Sequence, residues 1–263
     1  MIDRMTREGV RNRRGTLSAM ALGTVLGLLM GASSAWADEA MFEEAFVFFE
    51  LNNTDEDLGI HSKIDGDAWK KLTVTAPNGR QLLRVKAKGQ LGNQGLTELF
   101  MESDEPTFDE LSIADFLARF PEGDYEITGT TLEGDQLEST ANLRHVMPAP
   151  PENVMISGQS AAEDCDADPL PEVGDPVVIS WNPVTSFHPE VGVPGPIEVV
   201  GYQVVVEREE PSLLVLSVDL PPNVTQLEIP AGFIALADEF KFEVLVREAS
   251  GNQTAVESCF EIE

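Results

Sequence analysis

Histidine and cysteine are scarce in this chain of 263 residues, with three of the first and two of the second. A zinc site needs clustered ligands such as H-E-x-x-H, and no such spacing is present. Hydrolytic serine chemistry would call for a G-x-S-x-G elbow or an equivalent cue, which is missing, as is a Gly-rich phosphate loop. His61, His145 and His188 are therefore expected as structural or exposed residues. Basic residues are few as well, 17 against 46 acidic ones. After the first 37 residues no apolar segment reaches membrane-spanning length, so no span is expected there.

Those first residues have a different character. Arg11, Arg13 and Arg14 precede an apolar run from Ala19 to Met30, and small residues lead on to Ala35-Trp36-Ala37, an A-x-A cleavage pattern. Residues 1–37 read as a removable signal peptide, with delivery to a periplasm, a cell surface or the exterior. Thr16 stands where a twin-arginine signal wants a hydrophobic residue, and no cysteine follows the run to carry a lipid.

Five of the 17 Lys and Arg and two of the 46 Asp and Glu lie in that segment, so 12 bases face 44 acids in the remainder. Repulsion from phosphate makes nucleic acid and anionic membranes poor partners, and protein or polysaccharide the better expectation. Such an excess of carboxylates also suits plain solvation in a saline medium. Disorder is excluded by an apolar content of 42% falling in alternating runs, which can bury a core.

The alternation is that of strands. Ala45 to Leu51 is apolar and aromatic; Leu72 and Val74 precede the turn Pro77-Asn78-Gly79, and Leu83 and Val85 follow it. Tyr125 and Ile127 lead to Glu133-Gly134-Asp135, and Leu137, Ser139, Ala141 and Leu143 lead away. Between these hairpins Ser112 can cap one short helix, with Asp115 in the capping-box position, Ile113, Phe116, Leu117 and Phe120 as its buried stripe and Pro121 as its stop. Pro148-Ala149-Pro150-Pro151 reads as a stiff hinge. The expectation is an all-β chain of two tandem β-sandwich domains, 38–147 with the helix and 148–263 after the hinge.

The second of these carries Pro151-Glu152-Asn153-Val154, then Val177, Ile179 and Trp181, then Gly201-Tyr202-Gln203-Val204-Val205-Val206. Phe240 to Val246 and the turn Ser250-Gly251-Asn252 follow. From Pro150 to Glu263 this resembles a fibronectin type III domain, a sandwich of the immunoglobulin-like kind. The resemblance implies that Trp181, Tyr202, Phe242 and Val244 meet between two sheets. Phe240 stands where the family has its corner tyrosine, and no Arg-Gly-Asp occurs.

In an exported chain the lone pair Cys165 and Cys259 is expected as a disulfide. Val256, Ser258, Phe260 and Ile262 share one parity, which turns Cys259 outward, where a bridge would strap the acidic loop around Cys165 onto the sheet. Calcium is the one cofactor with a candidate site, the acidic stretch bearing Asp55, Asp57, Asp65 and Asp67; counted as an EF-hand it puts Gly66 where a bidentate glutamate belongs, and a solvated turn explains it equally. Six of the 12 bases fall between Lys70 and Lys88, and Arg84, Lys86 and Lys88 share one side of a strand. They suit an anionic ligand, or the protection of a sheet edge.

The function these features favour is an exported, non-catalytic binding or adhesion module. The alternative is an accessory domain pair of a secreted polysaccharide-degrading system with a calcium-stabilised loop. A deep pocket in which buried acids or imidazoles converge would count against both.

Overall fold

A computed structural model describes residues 40–208 and 211–263. Residues 1–37, read above as a signal peptide, lie outside the described residues. The chain is an all-β sandwich fold with three short helices. In order, β1 (Glu44–Asn52), β2 (Asp57–Thr75), β3 (Gln81–Lys86), α1 (Gly89–Gln94), β4 (Leu96–Glu102), α2 (Ile113–Arg119), β5 (Gly123–Thr131) and β6 (Gln136–Leu143) build the first half. The second holds β7 (Val146–Pro148), β8 (Met155–Ile156), β9 (Gln159–Ser160), β10 (Glu172–Val173), β11 (Val178–Ser180) and β12 (Phe187–Gly192). Then come β13 (Val199–Arg208), β14 (Leu214–Leu220), β15 (Gln226–Glu228), α3 (Ala231–Ile234), β16 (Glu239–Glu248) and β17 (Gln253–Ile262).

Strand β2 organises the first half. Ile64 pairs with Ala45 on one edge and Leu99 on the other, and Trp69 pairs with Leu96 and Thr131. The edge that holds β1 therefore goes on to hold β5, while the opposite edge holds β4 and then β3. One 19-residue strand thus serves two layers. Phe49, Leu51, Ile64, Trp69, Leu72 and Tyr125 are buried between them. Ser112 caps the helix as expected, its Oγ accepting the Asp115 N–H at 3.2 Å and donating to the Asp115 carboxylate at 2.8 Å, and Phe116 of α2 meets the Phe49 ring at 5.5 Å. Tyr125 donates its hydroxyl to the Pro121 carbonyl at 3.1 Å, a bond back to the chain that enters its own strand, and burial pushes its pKa up to about 12.

In the second half β13, β14, β16 and β17 face a smaller sheet ordered β15-β11-β8-β9. Trp181 and Tyr202 stack edge to face at 5.3 Å, with Phe242 and Val244 in the same core, and the Tyr202 hydroxyl accepts the Val184 N–H. The Cys165–Cys259 disulfide is present. Cys259 has the outward parity, opposite Lys241, yet it is buried because the bridged strap, including β10 paired to β17, covers it.

Two expectations change. The residues entering the proline run form strand β7, where Val146, Met147 and Pro148 are buried and Pro148 pairs with Phe187. Proline is tolerated there because β7 joins a two-stranded sheet, so its missing N–H faces away from a ladder. The partner strand, β12, begins at Phe187. The larger departure is that β1 and β17 pair in parallel, Glu50 to Gln253 through Asn52 to Ala255. The principal strands thereby join into one sheet, ordered β14-β13-β16-β17-β1-β2-β5-β6, above two separate hydrophobic cores.

Candidate functional site

On the joined sheet, the face turned away from both cores carries a groove of about 750 Å³. Its composition follows from strand alternation. Val47, Phe49 and Leu51 point into the core, so Phe46, Phe48 and Glu50 stand on the groove side of β1. The register then places Phe48 opposite His61, and Glu50 opposite Gln253.

A row of hydrogen bonds crosses the floor. Gln203 Nε2 donates to Ser217 Oγ at 2.9 Å, and Arg247 donates to Gln203 at 2.7 Å, to Gln253 at 2.8 Å and to Asp219 at 2.8 Å. The Gln253 amide continues to the Glu50 carboxylate. Glu50 Oε2 lies 3.8 Å from His61 Nδ1, and His61 Nε2 meets Glu105 Oε1 at 2.8 Å. Gly59 makes the last contact possible, because a Cβ there would collide with the Glu105 carboxylate. The row runs through strands of both halves, from β14 across β13, β16, β17 and β1 to β2.

Burial and like charge set the electrostatics. Desolvation lifts the pKa of Glu50, with the His61 charge and the Gln253 bond opposing it. For His61 burial works against the charged form, but the Glu105 hydrogen bond and the Glu50 charge outweigh it and raise the pKa above the usual imidazole value. Desolvation pushes Glu243 to about 7, against the pull of Lys241 and with help from Glu257 and Glu50. Phe46 and Phe100 remain 43% and 56% exposed on the groove wall.

A buried imidazole thus does converge with two carboxylates, which the spacing of His61 concealed. The arrangement can hold and share a proton. The one hydroxyl of the row, Ser217 Oγ on β14, accepts from Gln203 at the end opposite His61 on β2, and the groove is spread over a sheet face rather than closed round a reacting centre. Aromatic residues at both parities of Ala45–Leu51 were the available signal: a strand apolar on both sides needs two covers.

The residues singled out from the sequence are placed elsewhere. Asp55 and Asp57 sit at the β1–β2 turn, where Asn52 donates to Asp55 at 2.9 Å; burial and the charges of Glu105 and Asp55 raise Asp57 to about 6. Asp65 and Asp67 lie eight and ten residues further along extended β2, about 26 Å or more from Asp57 at some 3.3 Å per residue. The four cannot close round one ion, which corrects that grouping. Among the described residues no cluster of three or more His, Cys, Asp or Glu side chains is placed to hold a metal. Arg84, Lys86 and Lys88 are exposed, Arg84 and Lys86 on β3 and Lys88 just beyond it. Among the described residues β3 pairs with β2 alone, and Lys86 stands directly opposite Lys71. His188 is buried and joins the halves, its Nε2 meeting Asn53 Oδ1 at 2.8 Å.

No protein-family model matches the chain, and no curated protein matches it. Similar solved structures include one from work on host cell surface retention of a 1.5-MDa bacterial ice-binding adhesin, 11% identical over 86% of this chain and 66% of that one, with a TM-score of 0.24. A tetra-tandem repeat from the extending region of a large adhesion protein is 9% identical over 84% of this chain and 50% of the other, with a TM-score of 0.27. The FN1–FN3 domains of chicken CNTN1 are 12% identical over 83% of this chain and 65% of theirs, at 0.24. This chain therefore spans between half and two thirds of the length of those structures.

Proposed function

We propose that the chain is an exported, non-catalytic binding module of two tandem sandwiches, the second fibronectin type III-like, and that its recognition surface is the groove on the joined sheet. The observation that carries this reading is the pairing of exposed rings with a polar floor. Phe46 and Phe100 stand open to solvent beside a row of amide, guanidinium and carboxylate groups whose geometry is fixed by their own hydrogen bonds. Rigid, pre-positioned polar groups beside apolar walls are what a binding site needs to select a ligand without a large ordering cost. The cationic stripe on β3 is the weaker surface, since outward lysines on an open edge serve to discourage strand addition.

Protein and polysaccharide arrays test the proposal. Binding by the wild-type protein should be lost in a Phe46→Ala/Phe100→Ala variant and kept when Arg84, Lys86 and Lys88 are changed to glutamate. The reverse pattern would move recognition to the stripe and overturn the groove.

A further inference from the structure

The groove holds more negative charge than its own cations can answer. Five carboxyl groups line it, those of Glu50, Glu102, Asp219, Glu243 and Glu248, against the cations Lys63 and Arg247 and the His61 imidazole, and burial raises the pKa of Glu50, Glu243 and Glu248. Both cations are already engaged: Lys63 lies 2.6 Å from Glu44, and Arg247 is held by Asp219 and two glutamine side chains. Lys241, the nearest cation to Glu243 at 3.9 Å, is drawn to Glu257 at 2.6 Å instead.

Two buried side-chain atoms in the lining have no hydrogen-bond partner among the described residues. Glu248 is 1% exposed, and while its Oε1 accepts from Ser250, its Oε2 accepts from nothing among the described residues. His61, 2% exposed, leaves Nδ1 without a hydrogen bond. A buried carboxylate oxygen without a donor costs free energy that a ligand N–H would recover. Exposed phenylalanine faces near carboxylates are also a favourable setting for ammonium or guanidinium groups, through the ring quadrupole. The field of the whole chain acts in the same direction, since its formal charge of −29 draws cations and repels anions.

Length decides between a lone cation and a longer ligand. The floor crosses six strands, from β14 to β2, which at about 4.8 Å between neighbours spans roughly 24 Å. That is the reach of about seven residues of extended polypeptide. Resting on the reading of this groove as the recognition surface, we infer that it takes an extended polypeptide segment bearing lysine or arginine, whose cationic side chains meet the Phe46 and Phe100 rings and the carboxylates of Glu102 and Glu248.

The test is fluorescence anisotropy with labelled seven-residue lysine, arginine, glutamate and serine peptides, at low and at moderate salt. The lysine and arginine peptides should bind and the other two should not. Phe100→Ala and Glu102→Gln, both at exposed positions of β4, should each weaken binding about tenfold. Exposed acids outside the groove provide the control: Glu133→Gln and Glu138→Gln should change it less than twofold. Absence of binding by the basic peptides at low salt overturns the inference. So does equal weakening by the control variants, which would mean diffuse attraction to an acidic protein. If a serine peptide or a neutral oligosaccharide binds instead and Phe100→Ala abolishes it, the cationic ligand is wrong while the groove stands. If Phe100→Ala alters the binding of no probe that binds, the groove itself fails. Melting curves of each variant establish that it is folded, and Glu102→Gln keeps the test open should Phe100→Ala not fold.

Discussion

The side-chain carbonyl of Asn252 accepts the backbone N–H of Phe49 at 2.8 Å, across 203 residues of chain. The same side chain donates through Nδ2 to the carbonyls of Arg144 and Val146, at 2.8 and 2.9 Å, and is wholly buried. One amide thus ties β1, β17 and the start of β7 together where the two halves share their sheet. Thr254 adds a bond to the Pro148 carbonyl at 2.8 Å.

Asn252→Ala should therefore be among the most damaging single changes outside the cores. It removes three hydrogen bonds and leaves backbone groups of Phe49, Arg144 and Val146 without that partner, a loss of about 3 kcal/mol. Denaturant unfolding measures it. A cost below about 1 kcal/mol would show that the junction does not depend on this side chain.

The disulfide closes a segment of 94 residues and holds the strap over β17. On chain-entropy grounds its removal should cost on the order of 3–5 kcal/mol. Thermal melts with and without reductant, and of a Cys165→Ser/Cys259→Ser protein, check this. The reduced wild type and the double variant should melt together, well below the oxidised protein.

Stability should fall as pH rises from about 5 to 8. Glu243 titrates near 7 in the folded protein against an ordinary 4.5, and Asp57 near 6 against 3.8, both raised first by burial. A carboxyl with a higher folded than unfolded pKa binds its proton more tightly in the native state, so its stabilising protonation is lost as pH climbs through the folded value. His61, raised through its carboxylate neighbours, loses stability in the same direction, while His188, whose pKa burial lowers, works against the trend. Melting temperature against pH is the readout. Glu243→Gln should raise it at pH 8 and leave it nearly unchanged at pH 5.

Calcium and a chelator, compared at constant ionic strength, should give the same melting temperature. Asp55 and Asp57 remain together at one turn, but Asp65 and Asp67 are carried away along β2, and a hard cation needs six to eight oxygen ligands. A calcium-specific rise of several degrees would show that the turn gathers further ligands in solution.

Much of the fold was legible because its signals are local. Turn residues at Pro77-Asn78-Gly79 and Glu133-Gly134-Asp135, alternation along the flanking strands and the Ser112 cap each act within a few residues, and each produced the expected element. The proline run was misread for the opposite reason. Whether Pro148 ends a sheet or joins one depends on a partner strand 39 residues away at Phe187. The groove was hidden in the same way, since the alternation of β1 says that Phe46, Phe48 and Glu50 share a side but not what lies opposite.

The sequence by itself determined the strand content, the two apolar cores, the pairing of the only two cysteines and the heavy negative charge. These follow from side-chain periodicity and composition, which need no knowledge of distant contacts. Tertiary structure alone decided that β1 would lie parallel to β17. That choice rests on a buried amide and a few backbone bonds between segments some 200 residues apart, and no periodicity in either segment encodes it. From it comes the joined sheet, and with the sheet the face on which His61, Glu50, Gln253 and Arg247 form one row.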